Sequence, residues 1–252
     1  MNRPVTLVTG ASAGLGVEFA RACARRGDEL VLVARRQDRL ERLAQEIGGK
    51  AHVLAADLSR PEAPAELLRQ VEGLGLTVGT LINNAGFGGG GRVAEQALER
   101  QIEMIDLNVR ALTELARRVL PAMLERREGA ILNVASTAAF QPGPGSAVYF
   151  ATKAFVLSFS EALHQELKGT GIKVSALCPG PTATEFGVAA GYEGAQLRRF
   201  SADARGVVEA GLAGLERNRA VVVPGLSNKA TAQAHRFLPR AVMRRIVAAS
   251  KF

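Results

Sequence analysis

Short apolar runs alternate with helical stretches from residue 5 to residue 223, and this alternation restricts the chain to few architectures. Each strand-like run is followed by a stretch with helical patterning, and hairpin turns between neighbouring strands are almost absent. Strands connected through helices pair in parallel, because the crossover returns the chain to the same edge of the sheet. The sequence therefore predicts an α/β fold with a doubly wound parallel sheet of about seven strands and helices on both faces.

The boundaries of these elements indicate one domain. The predicted strands cover residues 5–8, 29–34, 51–55, 80–83, 130–134, 173–177 and 220–223. A long helix is predicted from about residue 94 to residue 124, and no repeat, low-complexity tract or linker separates the elements. With 252 residues, of which 47% are apolar, the chain suits a single domain, 1–252, that includes a basic helical tail from about residue 226.

A glycine-rich turn lies between the first strand and the first helix. Its spacing is GxxxGxG, and glycines there allow a tight turn and the close approach of backbone to a pyrophosphate at a helix N-terminus. Because this spacing departs from GxGxxG, the turn alone leaves cofactor binding and simple packing both open. The cofactor-binding candidates in the turn are Gly10, Ser12, Gly14, Leu15 and Gly16.

Arg35 and Arg36 follow the second predicted strand, where an NAD site usually carries an acidic residue for the ribose 2'-hydroxyl. Two guanidinium groups at this position suit a 2'-phosphate instead. The pair therefore predicts a preference for NADP(H), bound by a doubly wound sheet of the Rossmann type. The alternative is that both arginines begin a solvated helix with Asp38 and Glu41, an interpretation that suits Arg36 better than Arg35.

Tyr149 and Lys153 lie four residues apart in a predicted helix, which places a phenol and an ammonium about one turn apart on one face. A Tyr has an ordinary pKa of about 10, and a neighbouring cation favours the phenolate and brings the phenol closer to a working pH. Taken alone, this spacing also fits an interfacial Tyr beside a solvated Lys, so the rest of the chain decides between the two interpretations.

Seven motifs occur together in the order and spacing of one family. They are the Thr9 to Gly16 turn, Asp57-Leu58, Asn83-Asn-Ala-Gly86, Asn108, Ser136, Tyr149-x-x-x-Lys153 and Pro179-Gly180. On these motifs the chain resembles the short-chain dehydrogenase/reductase family from residue 5 to about residue 224. The resemblance also accounts for the GxxxGxG spacing, and it points to a broad bacterial branch of general-purpose reductases without a common substrate.

The resemblance implies four catalytic residues. Tyr149 would donate a proton to a carbonyl oxygen or remove one from an alcohol, and Lys153 would lower its pKa and bind the nicotinamide ribose. Ser136 would hydrogen-bond the same substrate oxygen, and Asn108 would hold a water in the proton path to Lys153. From sequence alone, Asn108 could instead cap or kink the long helix.

The resemblance also implies further cofactor contacts. Asp57 and Leu58 would lie beside the adenine, and the segment from Asn83 to Gly86 would support the sheet and leave room for the adenosine ribose. The binding candidates in these segments are Asp57, Leu58, Asn84, Ala85 and Gly86. The residues expected around the nicotinamide amide are Pro179, Gly180 and Thr184, and the cofactor set is completed by Thr182, Tyr149 and Lys153.

The net charge of +8 comes from the tail, since residues 217–252 carry eight basic residues and no acidic one. A nucleic-acid-binding face would normally spread basic residues over the fold, so no nucleic-acid partner is predicted. Packing of the tail against the domain or a second subunit is favoured over weak contact with an anionic membrane surface. A third interpretation is attraction of phosphate-bearing or carboxylate substrates.

The sequence therefore favours an NADP(H)-dependent oxidoreductase that interconverts a carbonyl and an alcohol. A catalytically idle nucleotide-sensing or scaffold protein of the same fold is the alternative, although none of the four catalytic residues is missing. The histidines lack ligand spacing, so no metal is predicted. The absence of an N-terminal signal segment and of disulfide-like cysteine spacing predicts a cytoplasmic location, and the family resemblance predicts a homodimer or homotetramer.

Overall fold

The computed structural model describes residues 2–182, 185, 202–234 and 236–249, and its centre is one sheet of seven strands. The strands are β1 (Arg3–Thr9), β2 (Leu30–Ala34), β3 (Ala51–Ala55), β4 (Leu76–Asn83), β5 (Gly129–Val134), β6 (Ile172–Leu177) and β7 (Val221–Val222). Their order is β3-β2-β1-β4-β5-β6-β7, and every pairing is parallel. The predicted doubly wound parallel sheet is confirmed.

Helices connect the strands and extend beyond the sheet as a tail. They are α1 (Gly14–Arg25), α2 (Gln37–Ile47), α3 (Ala63–Gly73), α4 (Leu98–Ile105), α5 (Leu112–Arg126), α6 (Ala147–Glu166), α7 (Ala204–Glu216), α8 (Leu226–Ala234) and α9 (Arg240–Ala249). A π-helical segment, Asp106–Ala111, joins α4 to α5, and a 3-10 helix, Thr137–Phe140, follows β5. The long helix predicted from residue 94 to residue 124 therefore begins at Leu98 and is irregular in its middle.

The core consists of two apolar layers on opposite faces of the sheet. Side chains alternate along a strand, so the fully buried neighbours Leu7 and Val8 of β1 enter different layers. One layer contains Leu115 of α5, and the other contains Phe19 of α1 and Leu212 of α7. Burial on both faces explains why β2 reads as a continuous apolar run.

The strand order reverses between β1 and β4, and this reversal positions the site. From β1 the chain moves outward to β2 and β3, and it then returns to β4 on the other side of β1. The carboxyl ends of all these parallel strands lie at one edge of the sheet, where doubly wound folds bind ligands. The glycine turn, Arg35, Asn84, Ser136 and Pro179 all follow strands at this edge.

Candidate cofactor and active site

The glycine turn has a backbone that only glycine fits at two of its positions. Gly10 has a φ of 69°, and a Cβ there would lie 2.8 Å from Asn84 Nδ2 and 2.9 Å from Ala85 Cα. A Cβ on Gly16 would collide with the carbonyl oxygen of Gly10. No side chain caps the N-terminus of α1, so its first N–H groups are available to an anion at the turn. These features fit the pyrophosphate of a dinucleotide.

Thr9 holds the glycine turn against the segment that follows β4. Its Oγ1 accepts hydrogen bonds from the Asn84 and Ala85 N–H groups at 3.0 and 2.9 Å, and it donates to Ile82 O at 3.3 Å. Asn84 Nδ2 donates to Thr9 O at 2.9 Å. Thr9 was not among the predicted site residues, although its place before Gly10 in the motif was a usable signal.

Arg36 contacts the glycine turn directly. Its Nε and Nη2 donate to Ser12 Oγ at 3.4 and 3.3 Å. The Arg35 guanidinium points elsewhere, because its Nη1 pairs with Glu103 Oε1 of α4 at 3.2 Å. The sequence interpretation gave more weight to Arg35, whereas in the fold Arg36 is the arginine nearer to the turn.

A third arginine belongs to this basic cluster and was missed from the sequence. Arg39, one turn after Arg36 on α2, donates from Nη1 to both carboxylate oxygens of Glu185, at 2.9 and 3.1 Å. Glu185 Oε2 also lies 3.8 Å from Arg36 Nη1. The cluster thus already holds a carboxylate, which shows that its geometry accepts an anion.

Asp57 and Leu58 follow β3 at the same edge of the sheet. Asp57 Oδ1 accepts hydrogen bonds from the Ser59 N–H at 3.1 Å and from the Ser59 hydroxyl at 2.7 Å, and Leu58 is buried. The turn is also held from the long helix, because Arg110 Nη2 donates to Ser59 O at 2.6 Å. Both residues are therefore held in place beside the site where the family resemblance predicts the adenine.

Asn108 lies in the π-helical segment, buried beside the loop after β4. Its Oδ1 accepts the Phe87 N–H at 3.1 Å, and its Nδ2 donates to Phe87 O at 2.9 Å and to Thr152 Oγ1 at 3.1 Å. Thr152 in turn donates to Tyr149 O at 2.7 Å. A continuous set of hydrogen bonds therefore joins the loop, the irregular helix and α6. Thr152, within the Tyr149–Lys153 interval, is a positioning residue that the sequence did not reveal.

Gly86 allows Asn108 and Lys153 to approach the backbone. A Cβ at this position would lie 2.8 Å from Asn108 Oδ1 and 3.6 Å from Lys153 Nζ. The residue is therefore a glycine because of a close approach and not because of an unusual φ. It places the predicted cofactor segment against two of the predicted catalytic residues.

Lys153 is a buried cation at the end of β5. Its side chain is only 5% exposed, and Nζ donates to Val134 O at 2.8 Å. Burial lowers the pKa of this ammonium to about 8. Nζ lies 5.9 Å from the centroid of the Tyr149 ring, and Tyr149 is itself 8% exposed. The predicted pair is thus on one face of α6 and largely shielded from water.

Ser136 lies two residues after Val134 and caps the N-terminus of the 3-10 helix. Its Oγ accepts the Ala138 N–H at 3.1 Å, and α6 packs against this short helix. Ala138 and Tyr149 belong to one apolar cluster with Phe87. The fold therefore gathers Asn108, Ser136, Tyr149 and Lys153 at the ends of β4 and β5, as a shared site requires.

Pro179, Gly180 and Thr182 follow β6 on the other side of the 3-10 helix. Pro179 O accepts the Thr137 N–H at 2.9 Å, and Thr182 Oγ1 donates to Gly180 O at 3.0 Å. Cys178, just before them, is buried, and burial raises the pKa of its thiol to about 12. Thr184 lies outside the described residues.

The family model for short chain dehydrogenases matches residues 4–192. The chain belongs to the short-chain dehydrogenase family. The matched range contains all the residues of the predicted site, and it ends before α7 and the two tail helices.

Individual relatives in this family agree in sequence and fold. The "NADP-dependent 3-hydroxy acid dehydrogenase YdfG" of Escherichia coli (strain K12) is 39% identical over 184 residues, which cover 72% of this chain and 74% of that protein. The solved "Short-chain dehydrogenase from Sphingobium yanoikuyae in complex with NADPH" is 38% identical, with a TM-score of 0.83 and 95% of each chain covered. A solved structure from "Structural and biochemical insights into 7beta-hydroxysteroid dehydrogenase stereoselectivity" is 26% identical, with a TM-score of 0.88, and the match covers 98% of this chain and 100% of that one.

The described residues contain neither a metal-binding cluster nor a membrane-spanning helix. Among the residues that the structure places, no three His, Cys, Asp or Glu side chains form a group suited to a metal ion. No helix in the described ranges combines the length and the apolar character needed to cross a membrane.

Proposed function

We propose that this protein is an NADP(H)-dependent oxidoreductase that interconverts a carbonyl compound and a primary or secondary alcohol. The observation that carries the proposal is the buried pair of Tyr149 and Lys153, with Lys153 Nζ fixed on Val134 O at 2.8 Å. When bound, NADP(H) supplies or accepts the hydride. The chain's own residues bind the cofactor, orient the substrate and handle the proton.

Tyr149 is the proposed general acid and base. In reduction its phenol donates a proton to the carbonyl oxygen, and in oxidation the phenolate accepts the alcohol proton. Lys153 provides the positive charge that favours the phenolate, since the pKa of its ammonium, about 8, leaves it charged at neutral pH. A charge shielded from water acts more strongly on its neighbour than an exposed one.

Ser136 and Asn108 are the proposed positioning groups of the same reaction. Because Ser136 Oγ already accepts the Ala138 N–H, its hydroxyl proton is left to donate to the substrate oxygen. Asn108 has both amide protons engaged by Phe87 and Thr152, while Oδ1 keeps a lone pair that can hold a water toward Lys153. Both groups are held before substrate arrives, which favours the transition state.

Selectivity for NADP(H) is assigned to the basic cluster of Arg35, Arg36 and Arg39 with Ser12. Arg36 is held toward the glycine turn by Ser12, and Arg39 binds a carboxylate oxygen at 2.9 Å, so an anion at the second strand's end has partners. Two relatives, one described as NADP-dependent and one solved in complex with NADPH, support the same cofactor. One relative is named for a hydroxy acid and another for a hydroxysteroid. The relatives therefore support an alcohol as the substrate class and do not support a particular alcohol.

The proposed assembly is a homodimer or homotetramer that forms through the helices containing Asn108 and Tyr149. In α4, Leu98, Ile102 and Ile105 are 66%, 49% and 40% exposed, and on α6 Phe155 is 40% exposed and stacks on Phe159. Exposed apolar side chains on neighbouring helices are typical of a protein–protein contact. The mass of the purified protein in solution tests the assembly.

Two further proposals concern cellular location and membrane contact. A cytoplasmic location is proposed because Cys23 and Cys178 are both free and buried, which suits a reducing compartment. Weak contact with an anionic membrane is proposed because Leu226 and Phe237 are 85% and 83% exposed in the basic tail. Sedimentation with anionic vesicles, for the full chain and for a chain ending at residue 236, tests the membrane contact.

The function is tested with purified protein, a panel of aldehydes and ketones, and either NADPH or NADH. The loss of absorbance by the reduced nicotinamide should require a carbonyl compound and should be faster with NADPH. The idle scaffold alternative predicts NADPH binding without turnover on every member of the panel. Failure of the parent protein to bind NADPH would contradict both the enzyme and the scaffold interpretation.

A further inference from the structure

The basic tail is packed over the catalytic end of the sheet. Helix α8 packs against the 3-10 helix that follows Ser136. A Cβ on Gly180 would collide with the Asn228 side chain of α8, and Asn228 Nδ2 donates to Pro224 O at 2.8 Å. The tail therefore rests on two segments that carry predicted site residues.

Helix α9 reaches the apolar cluster that contains the proposed catalytic tyrosine. Met243 and Val247 of α9 are 5% and 4% exposed, although the helix is otherwise exposed. Val247 belongs to the same cluster as Phe87, Ala138 and Tyr149. One side of α9 is thus buried against the surroundings of Tyr149, and this supports the packing interpretation of the tail.

The arginines of α9 are not neutralised within the described part of the chain. Arg240, Arg244 and Arg245 form no ion pair or side-chain hydrogen bond with another described residue. The tail sequence, residues 217–252, contains no acidic residue that could compensate them. Positive potential is therefore concentrated on the helix that covers the site.

Helical geometry separates these arginines by direction. An α-helix turns about 100° per residue, so Arg244 lies about 60° from Val247 around the helix and one turn before it. Arg245 lies about 160° from Val247, on the side facing away from the cluster. Arg240 lies about 20° from Val247 but two turns before it, at the first residue of α9. Arg244 is therefore the arginine within one turn of Val247 on its side of α9, and the adjacent Arg245 offers the same charge in another direction.

Another arginine near the cluster is less suited to bind a substrate. The Arg100 guanidinium lies 3.8 Å from the centroid of the Phe87 ring, but its Nη1 pairs with Glu103 at 2.9 Å. Its guanidinium is therefore already engaged by a carboxylate. Arg244, which has no such partner in the described part, retains its full capacity for an anion.

We propose that α9 is a substrate-recognition helix and that Arg244 binds the carboxylate of an oxo acid or hydroxy acid. Val247 and the cluster around Tyr149 contact the apolar part of that substrate, and the guanidinium donates two parallel hydrogen bonds to the carboxylate. This inference rests on the proposed oxidoreductase function and adds the substrate class to it.

The test compares aliphatic oxo acids with their methyl esters, which keep the carbonyl group and remove the charge. The parent should have a higher kcat/KM for the acids, and added salt should reduce this advantage. Arg244→Gln should lower kcat/KM for the acids about 10- to 100-fold, mainly through KM, and should leave the esters nearly unchanged. Arg244→Lys should restore part of the loss.

Arg245→Gln is the matched control, because it removes the same charge from the neighbouring position. It should change kcat/KM for acids and esters by less than about twofold, as expected for an exposed charge. Equal losses in the two variants would overturn the inference and leave only a general effect of charge. A parent that prefers the esters would also overturn it.

Calorimetric titration of the oxo acids, with and without NADPH, separates this inference from the proposed function. Acid binding that Arg244→Gln weakens and Arg245→Gln does not would support the assignment even if no turnover were observed. Ester binding equal to acid binding in the parent would contradict it, whatever the activity of Tyr149. Unchanged thermal unfolding of both variants confirms that they are folded.

Discussion

Lys153 donates a 2.8 Å hydrogen bond from Nζ to the main-chain oxygen of Val134, so a strand end determines where the buried ammonium lies. Val134 is the last residue of β5, and Ser136 follows it by two positions. The cation and the serine hydroxyl are therefore positioned by the same strand. This relationship links the sheet to the proposed proton chemistry.

The pH dependence of activity should reflect Lys153. Burial lowers the pKa of its ammonium to about 8, so the cation is present below that pH and is lost above it. The rate of carbonyl reduction under saturating NADPH should therefore fall as pH rises through about 8. The reason is that the phenolate formed when Tyr149 donates its proton is no longer stabilised by a neighbouring positive charge. A rate that stays constant to pH 10 would contradict this role for Lys153.

Stability should respond to the same group with the opposite sign. The pKa is about 8 in the folded protein and 10.5 ordinarily, so the unfolded chain binds more protons between these values. Lys153 should therefore destabilise the fold below pH 8, and this cost should disappear as pH rises toward 10.5. The difference in unfolding free energy between the parent and Lys153→Met, measured by denaturant unfolding, should change by an amount on the order of 3 kcal/mol between pH 8 and pH 10.5.

Gly86→Ala should reduce activity, because the new Cβ would lie 2.8 Å from Asn108 Oδ1 and displace that side chain. We expect at least a tenfold lower kcat and a stability loss of about 1–3 kcal/mol from overpacking. Gly73→Ala is the control, since nothing lies within 4 Å of a Cβ added there. Wild-type kcat in Gly86→Ala would show that the Asn108 position is unimportant.

The affinity for NADPH should depend more on Arg36 than on Arg35. Arg36 is held by Ser12 at the glycine turn, whereas Arg35 is engaged by Glu103. Arg36→Ala should weaken NADPH binding about tenfold or more and change NADH binding little, because a charge-assisted contact is lost. Arg35→Ala should reduce the ratio of NADPH affinity to NADH affinity by a smaller factor than Arg36→Ala does. Equal affinities of the parent for NADPH and NADH, measured by fluorescence titration, would overturn the cofactor assignment.

Glu185→Gln should tighten NADPH binding. The Glu185 carboxylate lies 2.9 Å from Arg39 and 3.8 Å from Arg36, so it competes with a 2'-phosphate for the same cations. Because the pair is exposed, the gain should be modest, about two- to fivefold, with no change for NADH. Glu209→Gln, which removes another exposed carboxylate paired with Arg205, should leave both affinities unchanged.

The sheet and the general position of the site could be predicted from the sequence. Apolar runs that alternate with helices determine a parallel sheet. The direction of the strands then places the glycine turn, Ser136 and Pro179 at one edge of the sheet, independently of side-chain contacts. The Tyr149–Lys153 spacing likewise needs only helical geometry. These properties depend on local pattern, which a sequence displays directly.

Other features depend on contacts between distant segments. The pairing of Arg35 with Glu103, the support of Asn84 by Thr9 and the burial of Val247 join residues far apart in the chain. The π-helical irregularity at Asn108 also has no distinct local sequence signature, although a kink of the long helix at Asn108 was one of the two interpretations of the sequence. Charge and periodicity alone could not show which side of α9 is covered.

The most direct test of the central claim is the NADPH-dependent reduction of a carbonyl substrate by Tyr149→Phe. This substitution removes one hydroxyl and keeps the ring that packs against Phe150, with ring centroids 6.1 Å apart. We predict that turnover falls by at least about 100-fold, as for loss of a general acid, while NADPH affinity and thermal unfolding stay close to those of the parent. Turnover at the parental rate would contradict the assignment of Tyr149 as the proton donor.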